Sequence, residues 1–216
     1  MCLNDFNIQG VLSKYPSLRI SKNINNEIVV EGHLHFDITH NDTHIIDSYE
    51  IEILISDNYP NEIPIVREIG GRILKKFEHI YPDRSLCLAT EANIHSELSP
   101  RYDMVDFVDK FIIPYLFSYS YFEKYKTVPY GERSHGKEGV LEFYLDYFNV
   151  DTYHAVYNLL EYTCNKVYRG HNLCPCGSEQ RIRNCHMKSV LKLKEKCIVG
   201  VLKKELAMIK KKRGNY

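Results

Sequence analysis

Tyr59-Pro60-Asn61-Glu62-Ile63-Pro64, Phe77-Glu78-His79-Ile80 and Ser85-Leu86-Cys87-Leu88 follow one another in this order and decide how the chain is read. A tyrosine-proline pair, a second proline, and then a Cys-Leu beyond a polar loop point to a cysteine that carries an acyl group. A thiolate accepts an acyl group readily and, as a thioester, passes it to an amine. With an ordinary pKa near ~8.5, only a few per cent of the thiol is ionised at neutral pH, so the chemistry needs activation or a pre-activated donor. His79, Arg84 and His95 are candidates for that activation, and Asp83 is an acceptor that could orient an incoming lysine. Taken alone, Cys87 could equally be a buried core cysteine, the commonest fate of a free thiol.

Around this stretch the pattern alternates between elements. Leu3 to Tyr15 reads as a short helix, with Leu3, Phe6, Val11 and Leu12 apolar and Pro16 beyond its end. Glu27 to Ile38 alternates as a strand, Asn41-Asp42-Thr43-His44 makes a turn, and Ile45 to Ile55 is a second strand with Ile51, Ile53 and Ile55 on one face. Ile65 to Ile73 is a further short strand, broken by Gly70-Gly71. After Cys87 a loop is expected. Ser99-Pro100 then opens a helix with Met104, Val105, Phe107, Val108, Phe111 and Ile112 along its apolar stripe. Further helices are expected over Val140 to Phe148, from an Asp151 cap through Val167 to a Gly170 stop, and over Val190 to Lys212. The order is a helix, a strand meander, a cysteine loop and then helices, an α+β class.

At 216 residues, 44% hydrophobic and 26% charged, the chain can bury one substantial core plus a small appendage. No stretch reaches the length of a membrane span, and the polar start Met1-Cys2-Leu3-Asn4-Asp5 lacks a signal-peptide pattern. Three of seven cysteines lie within twelve residues beside a histidine, which suits a reducing compartment and metal use, so a cytoplasmic protein is expected. The formal net charge of zero conceals an asymmetry. From Met187 to Tyr216, nine Lys and one Arg face Glu195 and Glu205, a net of +8. Such an end could touch an anionic partner, or it could be a solvated helical face.

The cysteine stretch resembles the active-site half of the ubiquitin-conjugating (E2) family, over roughly residues 1–125. In that family a strand meander leads to Tyr-Pro-x-x-x-Pro, a His-Pro-Asn triplet, and the active cysteine eight residues after the Asn. Tyr59 to Pro64 and Ser85 to Leu88 match the first and last of these, and the Ser99-Pro100 helix is similar to the one after the family's Trp-Ser-Pro. The resemblance implies an E2 (UBC-like) fold with a four-stranded antiparallel meander, and Cys87 as thioester nucleophile. Two departures stand out. His79 occupies the Asn position, where it could brace the loop or add acid–base character. The loop from Cys87 to Pro100 is about three residues longer than the family's common spacing, with Leu98 at the Trp position. Pro129 to Gly139 is similar to a Gly-Glu-Arg-x-His-Gly element of bacterial E2-like proteins from CBASS-type antiphage operons. It offers Glu132, Arg133 and His135 as a base or clamp, or as a plain turn.

Cys174-Pro175-Cys176-Gly177-Ser178, followed by Cys185-His186, resembles the SEC-C motif, with Glu179 where that family has Gly. Four N/S ligands imply one closed, structural Zn2+ site rather than a catalytic zinc, which keeps a position open to water. About twenty residues cannot build a core alone, so the metal must supply much of their folding energy. The expected domains are therefore 1–128 (E2-like core), 129–170 (loop and helical extension), 171–188 (zinc motif) and 189–216 (basic helix).

The resemblance implies an acyltransferase of bacterial antiphage defence. Cys87 would carry the C-terminus of a ubiquitin-like modifier or of a cGAS-like nucleotidyltransferase, and the zinc motif with its basic helix would dock a protein partner. Two other readings stay open: a catalytically silent E2-fold scaffold, and a nucleic-acid adaptor whose binding falls steeply with salt.

Overall fold

Asn41 and Asp42 both take left-handed backbone angles (φ 45° and 60°), the geometry that a two-residue turn between twisted antiparallel strands requires. The alternating segments on either side close into a long hairpin around it. The computed structural model describes residues 5–22, 27–74, 77, 79–129, 134 and 136–210. In chain order the elements are α1 (Ile8–Lys14), β1 (Leu18–Lys22), β2 (Ile28–His40), β3 (Thr43–Ile55), β4 (Ile65–Glu68), α2 (Glu91–Leu98), α3 (Met104–Phe107), α4 (Ile113–Tyr125), α5 (Gly136–Phe148), α6 (Tyr153–Asn165), α7 (Met187–Lys196) and α8 (Val199–Lys210). A π turn, Val108–Ile112, joins α3 to α4.

The class is α+β, with one four-stranded antiparallel sheet in the order β1-β2-β3-β4. Register runs from Leu18 opposite Gly32, through Val30 opposite Ile53, to Ile51 opposite Glu68. Gly32 (φ 134°) is where β2 passes Ser17, and a Cβ there would lie 2.3 Å from the Ser17 carbonyl oxygen.

The chain divides into two compact units that interleave in sequence. Among the described residues, the first runs up to Ala89 and resumes at Arg101; the second holds Thr90–Pro100 and everything from Ser134 onward. In the first, α4 packs on β3, and Leu34, Ile51, Ile53, Val66, Phe107, Ile112, Leu116 and Phe117 are buried. In the second, α5, α6, α7 and α8 pack around Tyr144, Val156, Leu159, Leu160, Val190, Leu193 and Leu202, with α2 set against α7 and α8.

Several elements differ from expectation. The first helix is shorter than Leu3–Tyr15, because Phe6 and Asn7 are left-handed and the regular helix starts only at Ile8; Leu3 lies outside the described residues. β1 is an additional edge strand of five residues. β4 stops at Glu68, where the next two amides turn to the Glu50 carbonyl (2.9 and 3.4 Å). The expected loop after Cys87 contains α2, capped by the Thr90 side chain accepting from Asn93 N–H (3.2 Å). Pro100 opens no helix. Tyr102 is left-handed (φ 50°), and Asp103 caps α3 by accepting from Val105 N–H (2.8 Å).

α5 begins at Gly136, ahead of Val140. Thr152, not Asp151, caps α6, and that helix ends at Asn165, where Lys166 turns extended well before Gly170. The basic segment is two helices rather than one, broken where Cys197 is extended (φ −105°, ψ 145°); Lys211 and Lys212 lie outside the described residues.

Candidate functional site

Asp83 lies at the centre of a small hairpin. Tyr81 N–H donates to Ser85 C=O (2.8 Å), Ile80 lies opposite Leu86, and Cys87 N–H donates to His79 C=O (2.9 Å). His79 and Cys87 are thus cross-strand neighbours, equidistant from the turn. The hairpin extends the sheet beyond β4: Leu86 N–H donates to Val66 C=O (2.8 Å), and Ser85 lies opposite Arg67.

A buried charge locks it there. Arg84 is left-handed (φ 70°), and its guanidinium donates to the Glu68 carboxylate (2.6 Å) and the Ile73 carbonyl (2.8 Å). Glu68, only 1% exposed, also accepts from Arg72 N–H (3.0 Å) and Ile73 N–H (3.2 Å). Arg84 therefore serves as a brace, with its guanidinium taken up by Glu68 and Ile73. A paired and hydrogen-bonded carboxylate is the form in which a buried charge is tolerated.

Tyr115, from α4, donates its hydroxyl to the same His79 carbonyl (2.8 Å), so both lone pairs of that oxygen are used. Burial, with a smaller contribution from the Cys87 sulfur, pushes the Tyr115 phenol above its usual range and keeps it a neutral donor. Tyr81, half-exposed, donates its hydroxyl to Cys87 Sγ (3.3 Å), and Cys87 itself is half-buried. The His79 ring lies against Phe77 (centroids 5.3 Å apart). The structure thus brings His79 and Cys87 together through the backbone, and supplies Tyr81 as a side-chain neighbour of the sulfur.

Asp83 is exposed, and its carboxylate accepts from Ser85 N–H (3.1 Å) and Ser85 Oγ–H (2.6 Å). Those bonds hold it below the usual carboxylate range and close the turn. His95 is fully buried on α2, and burial lowers its pKa, which keeps the ring neutral. Glu132, Arg133 and His135 lie outside the described residues, as does Glu78.

Tyr81 was not singled out by the sequence; the signal for it is the turn at Asp83, which sets it opposite Ser85. Tyr115 and the Glu68–Arg84 pair had no local signal, since Tyr115 lies 36 residues from His79 and Glu68 lies 16 from Arg84.

The second cluster belongs to the helical unit. Cys174, Cys176, Cys185 and His186 offer ligand atoms that all lie within 4.8 Å of one another, so they could hold a metal ion. Local chain geometry converges them. Cys174 N–H donates to Gln180 C=O (2.7 Å), Leu173 lies opposite Arg181, and Gly177 N–H donates to Cys174 C=O (3.2 Å). Gly177 (φ 88°) and Glu179 (φ 61°) turn the loop between the Cys174/Cys176 pair and Cys185-His186. His186 Nε2 lies 2.9 Å from the Phe148 carbonyl, which fixes the proton on that nitrogen and turns Nδ1 toward Cys185 Sγ (3.1 Å) and Cys174 Sγ (3.3 Å).

The spacing fits a tetrahedral ion. Metal–sulfur bonds of ~2.3 Å imply a sulfur–sulfur edge of about 3.8 Å, and Cys176 Sγ lies 3.7 Å from Cys185 Sγ. That is far beyond a disulfide bond of ~2.05 Å. Burial raises the pKa of the Cys174 thiol. Burial raises that of Cys176 too, but hydrogen bonds from Ser178 outweigh it and lower the pKa. A bound cation would be the natural partner for the buried Cys174 thiolate.

No protein-family model matches the chain, and no curated protein matches it. Among the described residues, no helix is long and apolar enough to cross a membrane.

Proposed function

We propose that the sheet-bearing unit is an E2-type fold and that Cys87 is its acyl carrier. One observation carries the reading: a half-buried thiol on a hairpin appended to β4, with His79 directly across from it. In the first step the Cys87 thiolate attacks the activated C-terminal carbonyl of a carried protein. The C–S bond forms, and the donor's activating group leaves with its electron pair. An amine nitrogen then attacks the thioester carbon, the C–N bond forms, the C–S bond breaks, and the amine proton passes to solvent or a nearby base. Activation comes from another protein or is bypassed.

The family resemblance suggests as cargo a ubiquitin-like modifier or a cGAS-like nucleotidyltransferase, in bacterial antiphage defence. The metal would be Zn2+ in a structural role, because three thiolates and an imidazole form a closed set. A second reading, a silent scaffold of the same fold, draws support from the packing of the His79 ring on Phe77, which serves structure as well as chemistry.

Intact-mass analysis of the protein from cells co-expressing its genomic neighbours separates the two. A thiol-sensitive adduct that disappears in Cys87→Ala supports acyl transfer, and its mass names the cargo. Neighbours that co-purify without any adduct favour the scaffold.

A further inference from the structure

Passing an acyl group from Cys87 to an amine runs through a tetrahedral intermediate whose former carbonyl oxygen carries negative charge. Catalysis of such a step depends on a hydrogen-bond donor already aimed at that oxygen. The backbone donors around Cys87 are committed elsewhere. Leu86 N–H donates to Val66 C=O (2.8 Å), Cys87 N–H to His79 C=O (2.9 Å) and Leu88 N–H to Leu86 C=O (3.1 Å). Neighbouring side chains are engaged in the same way. Ser85 Oγ–H donates to Asp83 (2.6 Å), the Arg84 guanidinium to Glu68 (2.6 Å) and the Tyr115 hydroxyl to His79 C=O (2.8 Å). The His79 ring, whose residue lies across from Cys87, packs on Phe77.

Tyr81 is the exception. It is paired with Ser85, as Cys87 is with His79, so Tyr81 and Cys87 are diagonal neighbours on one face of the hairpin. A long aromatic side chain spans such a diagonal, and the Tyr81 hydroxyl donates to Cys87 Sγ (3.3 Å). The residue is 51% exposed, so burial in a core does not account for its placement. An acyl carbonyl attached to Sγ sets its oxygen two bonds from the sulfur. That is within the sweep of a hydroxyl that already contacts the sulfur.

We infer that Tyr81 is the oxyanion donor of this site and therefore a catalytic residue. An amine nitrogen attacks the thioester carbon, the C–N bond forms, and the carbonyl π pair moves onto oxygen. The Tyr81 hydroxyl donates to that oxygen. The pair then returns, the C–S bond breaks, and the sulfur leaves with its electrons. The nitrogen loses a proton to solvent, and the thiolate regains one from it. The freed sulfur again accepts from the same hydroxyl, as it does in the resting structure. The inference rests on the reading of Cys87 as an acyl carrier, and not on which protein supplies the acyl group.

The test compares the full-length wild type with Tyr81→Phe, which keeps the ring and removes the donor. Cys87 is charged from a small thioester, N-acetylglycine on mercaptoethanesulfonate, which needs no activating protein. Discharge to free lysine is followed at Cys87 by peptide-resolved mass spectrometry. A second readout is alkylation of uncharged Cys87 by iodoacetamide, a displacement that forms no oxyanion. Tyr81→Phe is expected to slow discharge about tenfold to a hundredfold, somewhat less than loss of a fully enclosed oxyanion donor costs. Alkylation is expected to stay close to the wild-type rate. The inference is overturned if discharge is unchanged, or if discharge and alkylation slow by the same factor, which marks a structural role. A wild type that takes no acyl group from the thioester overturns the carrier reading and this inference with it. That failure shows before any variant is made, so the two are told apart.

Discussion

Two regions of this molecule present cysteines in opposite ways. The Cys87 hairpin is held by groups drawn from across its own unit: the Glu68–Arg84 pair beneath it, the Val66 carbonyl beside it, and the Tyr115 hydroxyl on the carbonyl across from it. The Cys174–His186 knuckle is held by its own short loop and the Phe148 carbonyl, and its four ligand atoms lie close enough together to hold an ion. The first frame exists once the sheet has formed and leaves its sulfur partly open. The second has little apolar substance of its own and turns three sulfurs inward. The difference teaches that a single, partly open thiol leaves room for a partner, whereas converging thiols could share an ion.

The largest test of this contrast is removal of the metal. Structural zinc supplies about 10–16 kcal/mol to small motifs, so chelation is expected to abolish protection in α6, α7 and α8 while the β2–β3 hairpin stays protected in hydrogen exchange. Simultaneous loss in both regions would break the contrast and make the chain one cooperative body. Next in size is Glu68→Gln. It leaves Arg84 partly buried without its carboxylate and is expected to cost about 3–5 kcal/mol in urea unfolding of the sheet-bearing unit, with zinc content unchanged. Tyr115→Phe frees one lone pair of the His79 carbonyl and is expected to cost about 1 kcal/mol, again only in that unit.

A pH series sharpens the comparison from the other side. Burial raises the Glu205 pKa despite the hydrogen bonds from Tyr144 and Ala92, so the fold disfavours the ionised form. The linked stability is full below the ordinary glutamate value near ~4.3 and is lost as pH rises through the raised folded value. With saturating metal, the helical unit is therefore expected to weaken as pH climbs above that range, and Glu205→Gln to flatten the slope. The smallest effect belongs to Glu179→Gly. The left-handed backbone at Glu179 (φ 61°) suits glycine, and relief of its cost is expected to stabilise the metal loop by up to about 1 kcal/mol, read as a rise in melting temperature.

What could be read from the sequence follows the range of the interaction. The four residues that could hold a metal ion lie within thirteen residues, so their spacing alone announces them. Asn41-Asp42 set the long hairpin for the same reason. The pairing of His79 with Cys87 follows from their equal distance to a turn. Pro100 is the most visible helix signal in this stretch, whereas Thr90 and Asp103 provide the caps that decide where α2 and α3 begin. β1 is too short to stand out and owes its strand to pairing with β2. The Arg84–Glu68 brace joins residues sixteen apart through a left-handed turn, and no local pattern encodes it. The E2 fold and the acyl chemistry stand on family resemblance rather than on local physics, and the adduct measurement addresses them directly.

The π turn at Val108–Ile112 carries one further lesson. Each residue of a regular helix advances about 100° around its axis, and a π turn commonly arises when one extra residue is accommodated. α3 and α4 are therefore out of phase by that step, with Tyr115 just beyond it, its hydroxyl on the His79 carbonyl. Shortening 108–112 by a single residue would let the coil run smoothly and swing Tyr115 away from the hairpin. The bearing of the Cys87 loop is thus calibrated, in the manner of a vernier, by the count of residues in the segment that leads into Tyr115.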